Sequence, residues 1–280
     1  MRRIGRIFFW LSLVLSSGCS SFYLQAPSNT SAGELEEKNT AIEGLEAAVP
    51  PQRKPTPWDI ASTINSNLNT LSNPQHTRAW EHRKFPAKRS NQFEFMLLDG
   101  RVAMQAVSSQ SISMLRQSSR IEQAQLGRIQ FSWKISNLIA GADLNQRSGE
   151  DSPVRLVLVF EGDSQTKFSA KNAMLSELAL TLTGEPLPYA TLVYAWDNSH
   201  PAGSIFNNHR TDRIRKIVLE SGPDNVGKWL DYDRDIRADF EKAFGEAPGA
   251  LLSVGIMTDT DNTKTSTTAW YGPVRLLPQR

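Results

Sequence analysis

Apolar and polar residues alternate along much of the chain beyond residue 80, and this period of two predicts β-strands. Residues 93–97 and 102–106 both alternate, and Asp99-Gly100 lies between them, which is typical of a tight hairpin. Further alternating or continuous apolar runs predict strands at residues 129–135, 154–160, 189–196, 214–219, 251–257 and 269–277. Many short strands with few helices favour an antiparallel β-sandwich, which we expect to span residues 76–280.

A first helix is predicted ahead of the strands, in the segment 56–75. Thr56 can cap it, Pro57 suits its first position, and Asp59 occupies the capping-box position. Apolar residues then recur every three or four positions: Ile60, Ile64, Leu68 and Leu71. We therefore predict a short amphipathic helix over residues 57–72 that packs on the sandwich or, alternatively, binds a partner.

Two more helices are predicted within the sandwich domain. One spans residues 171–183 and carries apolar residues on one face, namely Met174, Leu175, Leu178 and Leu182. The other begins with Asp231 as its cap and ends at Gly245, with the apolar stripe Ile236, Phe240, Ala243 and Phe244. Each is expected to cover a sheet face or an end of the sandwich, which gives two or three accessory helices in all.

The N-terminal residues are organised like a secretory signal peptide over residues 1–18. Residues 1–6 carry three arginines and no acidic residue, and residues 7–15 are apolar. Gly18 precedes Cys19, the single cysteine, which resembles a bacterial lipobox, although Ser16 stands where an aliphatic residue is usual. This resemblance implies a lipid anchor on Cys19, with palmitate as an expected acyl group. Ordinary cleavage that leaves a free thiol is the alternative.

Residues 19–55 are predicted to be a flexible, lipid-anchored tether. They contain few large apolar side chains and many Ser, Asn, Glu, Ala and Pro residues. A flexible tail of about 35 residues spans roughly 30–35 Å, which lifts a domain clear of the lipid headgroups. Ser20 follows Cys19, and in enteric-type sorting a residue other than aspartate implies the outer membrane. We therefore expect the protein in the cell envelope, on the outer membrane and facing the periplasm.

Composition excludes some classes of function. The chain has 31 Lys and Arg residues against 29 Asp and Glu residues, a net charge of +2. It has no basic stripe with interleaved aromatic residues, which argues against nucleic-acid binding. Cys19 is the sole cysteine, so disulfides within the chain cannot stabilise the fold.

Three predicted strands end in clusters of acidic and amide residues. The candidate ligand-binding residues are Glu161, Asp163, Asp197, Asp259, Asp261 and Asn262. If these strand ends share one rim of the sandwich, their oxygens suit a cation such as calcium. The alternative is that the side chains hydrogen-bond their own loop backbone. A glycosidase needs two carboxylates flanking a sugar bond, and Glu161 and Asp163 alternate on one strand end, so a hydrolase could use two of Glu161, Asp163, Asp259 and Asp261.

Two tryptophans and one arginine complete the candidate residues. Trp196 and Trp270 lie beside the acidic loops, where an exposed indole could stack on a sugar ring, with core packing as the alternative. Arg155 interrupts an apolar strand, and a buried guanidinium needs a carboxylate partner. Asp151, Asp239 or Asp259 could supply the structural ion pair.

The sequence also resembles a family of uncharacterised secreted proteins and lipoproteins of Gram-negative bacteria. The segments that carry the resemblance are residues 80–85 (WEHRKF), 150–160 (EDSPVRLVLVF), 187–196 (LPYATLVYAW), 229–245 (WLDYDRDIRADFEKAFG), 257–263 (MTDTDNT) and 270–272 (WYG). The resemblance implies a single sandwich related in shape to glycan-binding jelly rolls, and no assigned activity. Pro273 stands where the family commonly has an acidic residue, which would weaken a cation site.

These observations favour an envelope lipoprotein that is a non-catalytic binding module for a glycan or an envelope polymer. A carbohydrate-active hydrolase is one alternative, and a structural or assembly lipoprotein that binds an envelope protein is another. No cofactor is required by the sequence, and calcium is the candidate metal.

Overall fold

The computed structural model describes residues 53–64 and 79–277. Within these residues the strands are β1 (Glu81–Lys84), β2 (Gln92–Leu98), β3 (Arg101–Ser109), β4 (Ile112–Ile121), β5 (Arg128–Ile135), β6 (Ser152–Phe160), β7 (Ala190–Asp197), β8 (Ile205–Asn207), β9 (Ile214–Ser221), β10 (Leu230–Asp235), β11 (Leu251–Asp259), β12 (Ser266–Tyr271) and β13 (Arg275–Leu277). The α-helices there are α1 (Pro57–Ala61), α2 (Ser164–Lys167), α3 (Ala170–Thr183) and α4 (Ile236–Phe244). The signal peptide, Cys19 and most of the tether lie outside the described residues and stay predictions.

The strands form two sheets. The seven-stranded sheet has the order β1-β4-β11-β6-β7-β9-β8, and the six-stranded sheet has the order β10-β5-β12-β3-β2, with β13 also paired to β5. The pairs are antiparallel apart from β7 and β9, which run parallel. The predicted mainly β, jelly-roll-like sandwich is confirmed. The long run predicted at 269–277 is divided between β12 and β13.

The inner faces of the two sheets share an aromatic core. Phe131 of β5 stacks on Tyr194 of β7 with ring centroids 5.9 Å apart. The Tyr271 hydroxyl of β12 donates a hydrogen bond of 2.6 Å to the Met257 carbonyl of β11. Strand β7 is buried at every position, because both of its faces are covered.

The predicted hairpin is confirmed between β2 and β3. Asp99 has φ of 53° and Gly100 has φ of 73°. Two consecutive residues in the left-handed region are required by the turn that best matches the twist of paired strands. The turn places Asp99 at the tip of the β2–β3 hairpin.

The predicted helix over residues 57–72 begins as expected and ends much too early. Thr56 and Asp59 form the complete capping box, with Pro57 at the first helical position. The helix then stops at Ala61, and Thr63 forms a β-bridge with Arg275, whose neighbour Leu276 donates a 2.8 Å hydrogen bond to the Thr63 carbonyl. The helix prediction is therefore wrong for residues 62–64, because a sheet edge offers the backbone better-placed partners. Residues 65–78 lie outside the described part.

Residues 53–55 are not part of a free tether. Arg53 donates two hydrogen bonds to the Asp59 carboxylate, at 2.7 and 2.5 Å, and a third of 3.2 Å to the Trp80 carbonyl. Asp59 is fully buried and also accepts from the backbone N–H of Trp80 at 2.9 Å. The folded domain thus begins at or before Arg53, and the boundary predicted at residue 55 lies too late.

Stability is expected to depend on Asp59 at acidic pH. Burial by itself would raise the pKa of Asp59, but hydrogen bonds from Arg53, Thr56 and Trp80 outweigh it and lower the pKa below 3.8. The folded state therefore binds fewer protons than the unfolded state, and this stabilisation is present above pH 3.8 and lost as the pH falls through the lower, folded-state pKa.

Urea unfolding from pH 6 to pH 2 measures this effect. The free energy of unfolding should fall less steeply with pH in Asp59→Asn than in the parent protein. Asp224→Asn, which changes an exposed aspartate, should keep the parent slope. Equal slopes in the parent and Asp59→Asn would contradict the assignment.

The two longer helices each differ from their prediction in one respect. Helix α4 is capped by Asp235, whose carboxylate accepts from the Ala238 N–H at 3.0 Å, so the predicted cap Asp231 is instead a residue of β10. Helix α3 forms as predicted, with Gly184 in the left-handed conformation at its end. Its apolar face, however, does not cover a sheet: Met174, Leu178 and Leu182 are more than half exposed. Among the described residues no helix combines the length and apolarity needed to cross a membrane.

Candidate functional site

Two carboxylates predicted from the acidic loops, Asp259 and Asp261, meet Asp151 inside one end of the sandwich. Asp259 ends β11, Asp261 follows it, and Asp151 immediately precedes β6, which is antiparallel to β11. One oxygen of each lies within 4.8 Å of the others, and the three residues are at most 5% exposed. We call these three residues the buried acid cluster.

Cationic groups hold the buried acid cluster from two sides. Arg155 Nη1 lies 3.0 Å from Asp259 Oδ2, and Arg155 Nη2 donates a 2.6 Å hydrogen bond to the Glu150 carbonyl. Lys88 Nζ forms an ion pair with Asp261 Oδ2. Asp259 is thus the ion-pair partner of Arg155. Asp239, another predicted partner, instead binds Arg234 at 2.5 and 2.8 Å, because both residues flank the start of α4.

Asp151 anchors the loop that follows β11. Its Oδ1 accepts from the backbone N–H and the side-chain amide of Asn262, at 3.2 and 3.0 Å. Its Oδ2 accepts from the backbone N–H and the hydroxyl of Thr263, at 2.7 and 2.6 Å. Asn262 therefore uses its amide as a donor to Asp151, and both carboxylate oxygens of Asp151 are engaged.

Burial and neighbouring charges shift the pKa values within the acid cluster. Burial, together with the neighbouring charges of Asp151 and Asp261, raises the pKa of Asp259 well above its usual range despite the opposing Arg155. Burial by itself would raise the pKa of Asp261, but Lys88 and a hydrogen bond with Asp259 outweigh burial and lower it. The pKa values of the two neighbouring carboxyl groups are therefore shifted in opposite directions.

The geometry explains this cluster without a metal ion. A cation would compete with Arg155 and Lys88 for Asp259 and Asp261, and Asp151 has no unused oxygen. The arrangement stabilises the loop after β11, as the self-capping alternative predicts. Calcium binding here stays a prediction.

Asp197 lies at the same end of the sandwich and holds a different loop. Its carboxylate accepts from the backbone N–H groups of Leu144, Ser199 and His200 at 2.7–3.1 Å, and His200 Nδ1 lies 3.0 Å from it. Asp143 lies close enough for these acids and His200 to form a second polar cluster. Burial by itself would raise the pKa of Asp197, but the backbone donors outweigh burial and lower it. A lowered pKa fits a structural carboxylate.

Glu161 and Asp163 lie at the opposite end of the sandwich. They follow the C-terminal end of β6, and β6 is antiparallel to both β7 and β11, so this strand end lies far from Asp197 and Asp259. Glu161 pairs with Arg120 in solvent, and Asp163 caps α2. A single rim that gathers all six predicted residues is therefore wrong. A hydrolase that combines Glu161 or Asp163 with Asp259 or Asp261 is excluded by the same geometry.

The two candidate stacking residues have different surroundings. Trp196 is fully buried and donates a 3.1 Å hydrogen bond to the Gly222 carbonyl, so the prediction that it stacks on a ligand is wrong. Trp270 is partly exposed on the outer face of the six-stranded sheet, between Gln105 of β3 and Lys134 of β5. Trp270 alone keeps the stacking role as a prediction.

The tip of the β2–β3 hairpin contacts residues on the outer face of the six-stranded sheet. Asp99 at its tip accepts from Lys134 Nζ at 2.8 Å and from Trp229 Nε1 at 3.2 Å. Arg101 donates two hydrogen bonds to Asp231 of β10, at 2.7 and 3.1 Å. Strands β3 and β10 are three positions apart, about 14 Å in a flat sheet. Direct contact therefore requires a sheet that curls so that this outer face is concave.

A pocket of about 620 Å³ lies beneath these bridging residues and opens to solvent. It lies where β12 ends and the chain passes through Gly272 and Pro273 into β13. Its polar lining residues are Arg101, Gln130, Ser132, Asp231, Asp233 and Arg275. Ala61 and Pro273 are apolar lining residues, and Val102, Phe131 and Tyr232 also border the pocket although their side chains pack in the core. We call this pocket the hairpin groove.

The carboxylates of the hairpin groove are paired. Asp231 binds Arg101, while Asp233 accepts from Arg128 Nε at 2.7 Å and from Gln130 Nε2 at 3.1 Å. The hydrogen bonds to Asp231 raise the pKa of Arg101. The groove therefore presents fixed hydrogen-bond donors and acceptors.

Sequence reasoning missed the hairpin groove. Its residues come from strands far apart in the chain, and Asp231 stands at a plausible helix cap. One signal was present: residues 230–235 alternate between Leu230, Tyr232 and Arg234 and three aspartates, as a half-buried strand does.

A family profile described as "Protein of unknown function (DUF3047)" matches residues 78–275. No curated protein matches the chain. The profile covers most of the described domain, including the acid cluster and the hairpin groove.

Solved structures with a similar fold include three glycoside-hydrolase proteins. Endoglucanase 3 of Trichoderma harzianum, from family GH12, has 10% identity and a TM-score of 0.36 over 68% of this chain and 86% of its own. A family 12 xyloglucanase from Bacillus licheniformis has 8% identity and a TM-score of 0.37 over 71% and 97%. The xyloglucanase domain of NopAA from Sinorhizobium fredii, solved with cellobiose, has 8% identity and a TM-score of 0.39 over 71% and 93%. Similarity at this level carries no conclusion about activity.

Proposed function

The chain belongs to the DUF3047 family of proteins of unknown function, and from that premise we propose that it is an envelope-anchored, non-catalytic module that binds a glycan or a similar envelope polymer in the hairpin groove. The observation that carries the proposal is the open pocket of about 620 Å³ on the concave sheet face. Its volume is in the range of pockets that hold small ligands.

The lining chemistry supports a polyhydroxylated ligand. A sugar offers hydroxyl groups that donate and accept together, and apolar ring faces. Gln130, Ser132 and the Arg101–Asp231 pair supply matching donors and acceptors, and Pro273 supplies apolar surface. Trp270, on the same sheet face, supports contact with a longer polymer.

The ion pairs support binding rather than hydrolysis. Glycoside hydrolysis needs one protonated carboxyl group and one ionised carboxylate on either side of the scissile bond. In the groove, Arg101 neutralises Asp231, and Arg128 with Gln130 engages Asp233. Both side chains are thus engaged by fixed donors, which favours a recognition surface.

Membrane attachment is part of the proposal and rests on the sequence. The signal-like residues 1–18 and the lipobox-like Cys19 support an anchor at the outer membrane. An anchored domain with a groove open to solvent could hold an envelope polymer close to the membrane. Mass spectrometry of the mature N terminus would measure the acyl groups directly.

Glycan titration tests the groove. The full chain in detergent is titrated by calorimetry with peptidoglycan fragments, lipopolysaccharide core oligosaccharides and neutral glucans. We expect one class to bind, and Gln130→Ala to weaken that binding about tenfold, since it removes hydrogen bonds to the ligand.

A matched variant controls for general effects. Gln165→Ala changes an exposed glutamine on α2, at the end of the sandwich where Glu161 lies, and should bind like the parent. Failure of all three classes to bind would refute the proposal. Equal weakening by Gln130→Ala and Gln165→Ala would place the ligand outside the groove. Release of shortened glycan would instead favour the hydrolase.

A further inference from the structure

Helix α3 exposes its most apolar residues to solvent. Met174, Leu178 and Leu182 are 64%, 51% and 59% exposed, and Leu180 is 45% exposed. The first three are spaced four residues apart, so they form one continuous stripe along the helix. An exposed stripe of large apolar side chains marks an interaction surface.

Polar side chains contribute to the attachment of α3 to the domain. Asn172 is buried, donates a 2.8 Å hydrogen bond to Asp212 and accepts one of 2.8 Å from Thr211. Ser176 accepts from the backbone N–H of Leu187 at 3.2 Å. A surface helix ordinarily turns its apolar face to the core. The side of α3 that faces the domain carries Asn172, Ser176 and the half-buried Leu175, which leaves Met174, Leu178 and Leu182 directed outward.

The N-terminal chain joins the domain close to the C-terminal end of α3. Arg53, where the described chain begins, donates to the Trp80 carbonyl, and the next residue, Glu81, lies 3.5 Å from Arg116. Arg116 donates to Glu185 at 2.7 and 2.9 Å. Glu185 follows the stripe residue Leu182 by three positions. The entry point of the N-terminal segment and the apolar stripe therefore lie along one edge of the domain.

We propose that the stripe Met174–Leu178–Leu182 docks into a lipid surface. The preceding 52 residues include Cys19, the predicted position of the lipid anchor. Because that segment enters beside α3, a membrane that holds the N terminus lies within reach of the stripe. Apolar side chains of an interfacial helix enter the boundary between headgroups and acyl chains.

A second copy of this chain fits the stripe less well. A helix of 14 residues is about 21 Å long. Stable protein interfaces bury about 800 Å² on each partner, and one narrow stripe on such a helix falls short of that area. A lipid surface requires no matching partner and accepts a single stripe. This proposal does not depend on glycan binding in the hairpin groove.

A fluorescent probe at position 178 tests the contact. Because Cys19 is the sole cysteine, a Cys19→Ser chain can carry one new cysteine, Leu178→Cys, labelled with an environment-sensitive dye. The probe is mixed with vesicles of phosphatidylethanolamine and phosphatidylglycerol. We expect emission to shift to shorter wavelength and to be quenched by spin-labelled acyl chains.

A second labelled position controls for binding by the N terminus. Asp224→Cys, at an exposed loop residue of the same Cys19→Ser chain, has the same N-terminal segment and should show neither the shift nor the quenching. In the unlabelled full chain, Leu178→Glu with Leu182→Glu should reduce partitioning onto vesicles about tenfold or more. Both residues are largely exposed, and an unchanged circular dichroism spectrum would verify the fold.

Three outcomes would overturn the proposal. One is an unchanged emission at position 178 when vesicles are added. Another is a shift without vesicles that grows with protein concentration, which would assign the stripe to a second copy. The third is equal quenching at positions 178 and 224, which would show that the domain has no preferred face toward lipid.

Discussion

Replacing Trp58 with alanine is expected to lower the free energy of unfolding by about 3–5 kcal/mol, although Trp58 precedes the first strand of the sandwich by more than twenty residues. Its indole is fully buried and lies edge-on to Trp80, with ring centroids 4.9 Å apart. Its Nε1 donates a 2.8 Å hydrogen bond to the Tyr271 carbonyl of β12. The substitution leaves a large cavity and removes that donor.

Urea unfolding of the full chain, followed by circular dichroism, measures the loss. Ile60→Ala is the matched control, because Ile60 belongs to the same short helix and is 48% exposed. It should change the free energy of unfolding by less than about 1 kcal/mol. Equal effects of the two substitutions would mean that residues 53–64 rest on the domain without completing its core.

Replacing Arg155 with methionine is expected to have a comparable effect, about 3–5 kcal/mol. Arg155 is 6% exposed, and its guanidinium joins the side chain of Asp259 to the backbone of Glu150. Without it, the buried acid cluster keeps its acidic groups and loses a cation. The pKa of Asp259, already raised, should rise further.

This variant should also respond to pH in a defined direction. A carboxyl group whose pKa is higher in the folded state stabilises the protein at low pH, and the stabilisation is lost as the pH rises from 3.8 through the folded-state pKa. The deficit of Arg155→Met should therefore be larger at pH 8 than at pH 5. Unfolding curves at both values measure the difference.

Two further variants separate charge pairing from packing. Arg155→Met with Asp259→Leu removes both partners and should recover much of the stability, since a buried pair replaced by apolar groups is often tolerated. Arg120→Met breaks an exposed pair with Glu161 and should leave the unfolding midpoint nearly unchanged. A small effect of Arg155→Met alone would contradict a structural role for the cluster.

Local patterns predicted the local structure well. The Asp99-Gly100 turn, the capping box of Thr56 with Asp59 and the end of α4 at Gly245 all depend on residues close together in sequence. Such features are read directly, because turn and cap conformations follow from the residues that adopt them. The predicted length of α1 was wrong because it depends on a residue far away in the sequence. Thr63 follows a helical pattern but pairs with Arg275, more than 200 residues away.

The candidate site required long-range information. Acidic residues after β6, β7 and β11 look alike in sequence, but strand direction places Glu161 at one end and Asp197 and Asp259 at the other. The Arg101–Asp231 pair joins residues 130 positions apart, across a curled sheet. Neither the relative direction of strands nor the curvature of a sheet is encoded in the period of a single segment.

The sequence by itself determined the mainly β class, most of the strands, the hairpin turn and the predicted export signal with its single cysteine, because each depends on residue type and spacing along a short stretch. Only the tertiary structure decided which carboxylates are buried together, that Trp196 is core while Trp270 is partly exposed, that α3 turns its apolar stripe outward, and that a groove opens beneath the β2–β3 hairpin. These properties follow from which strands lie side by side and in which direction. Pairing between distant segments settles that arrangement, because the buried faces and backbone hydrogen bonds of the whole domain must be satisfied together.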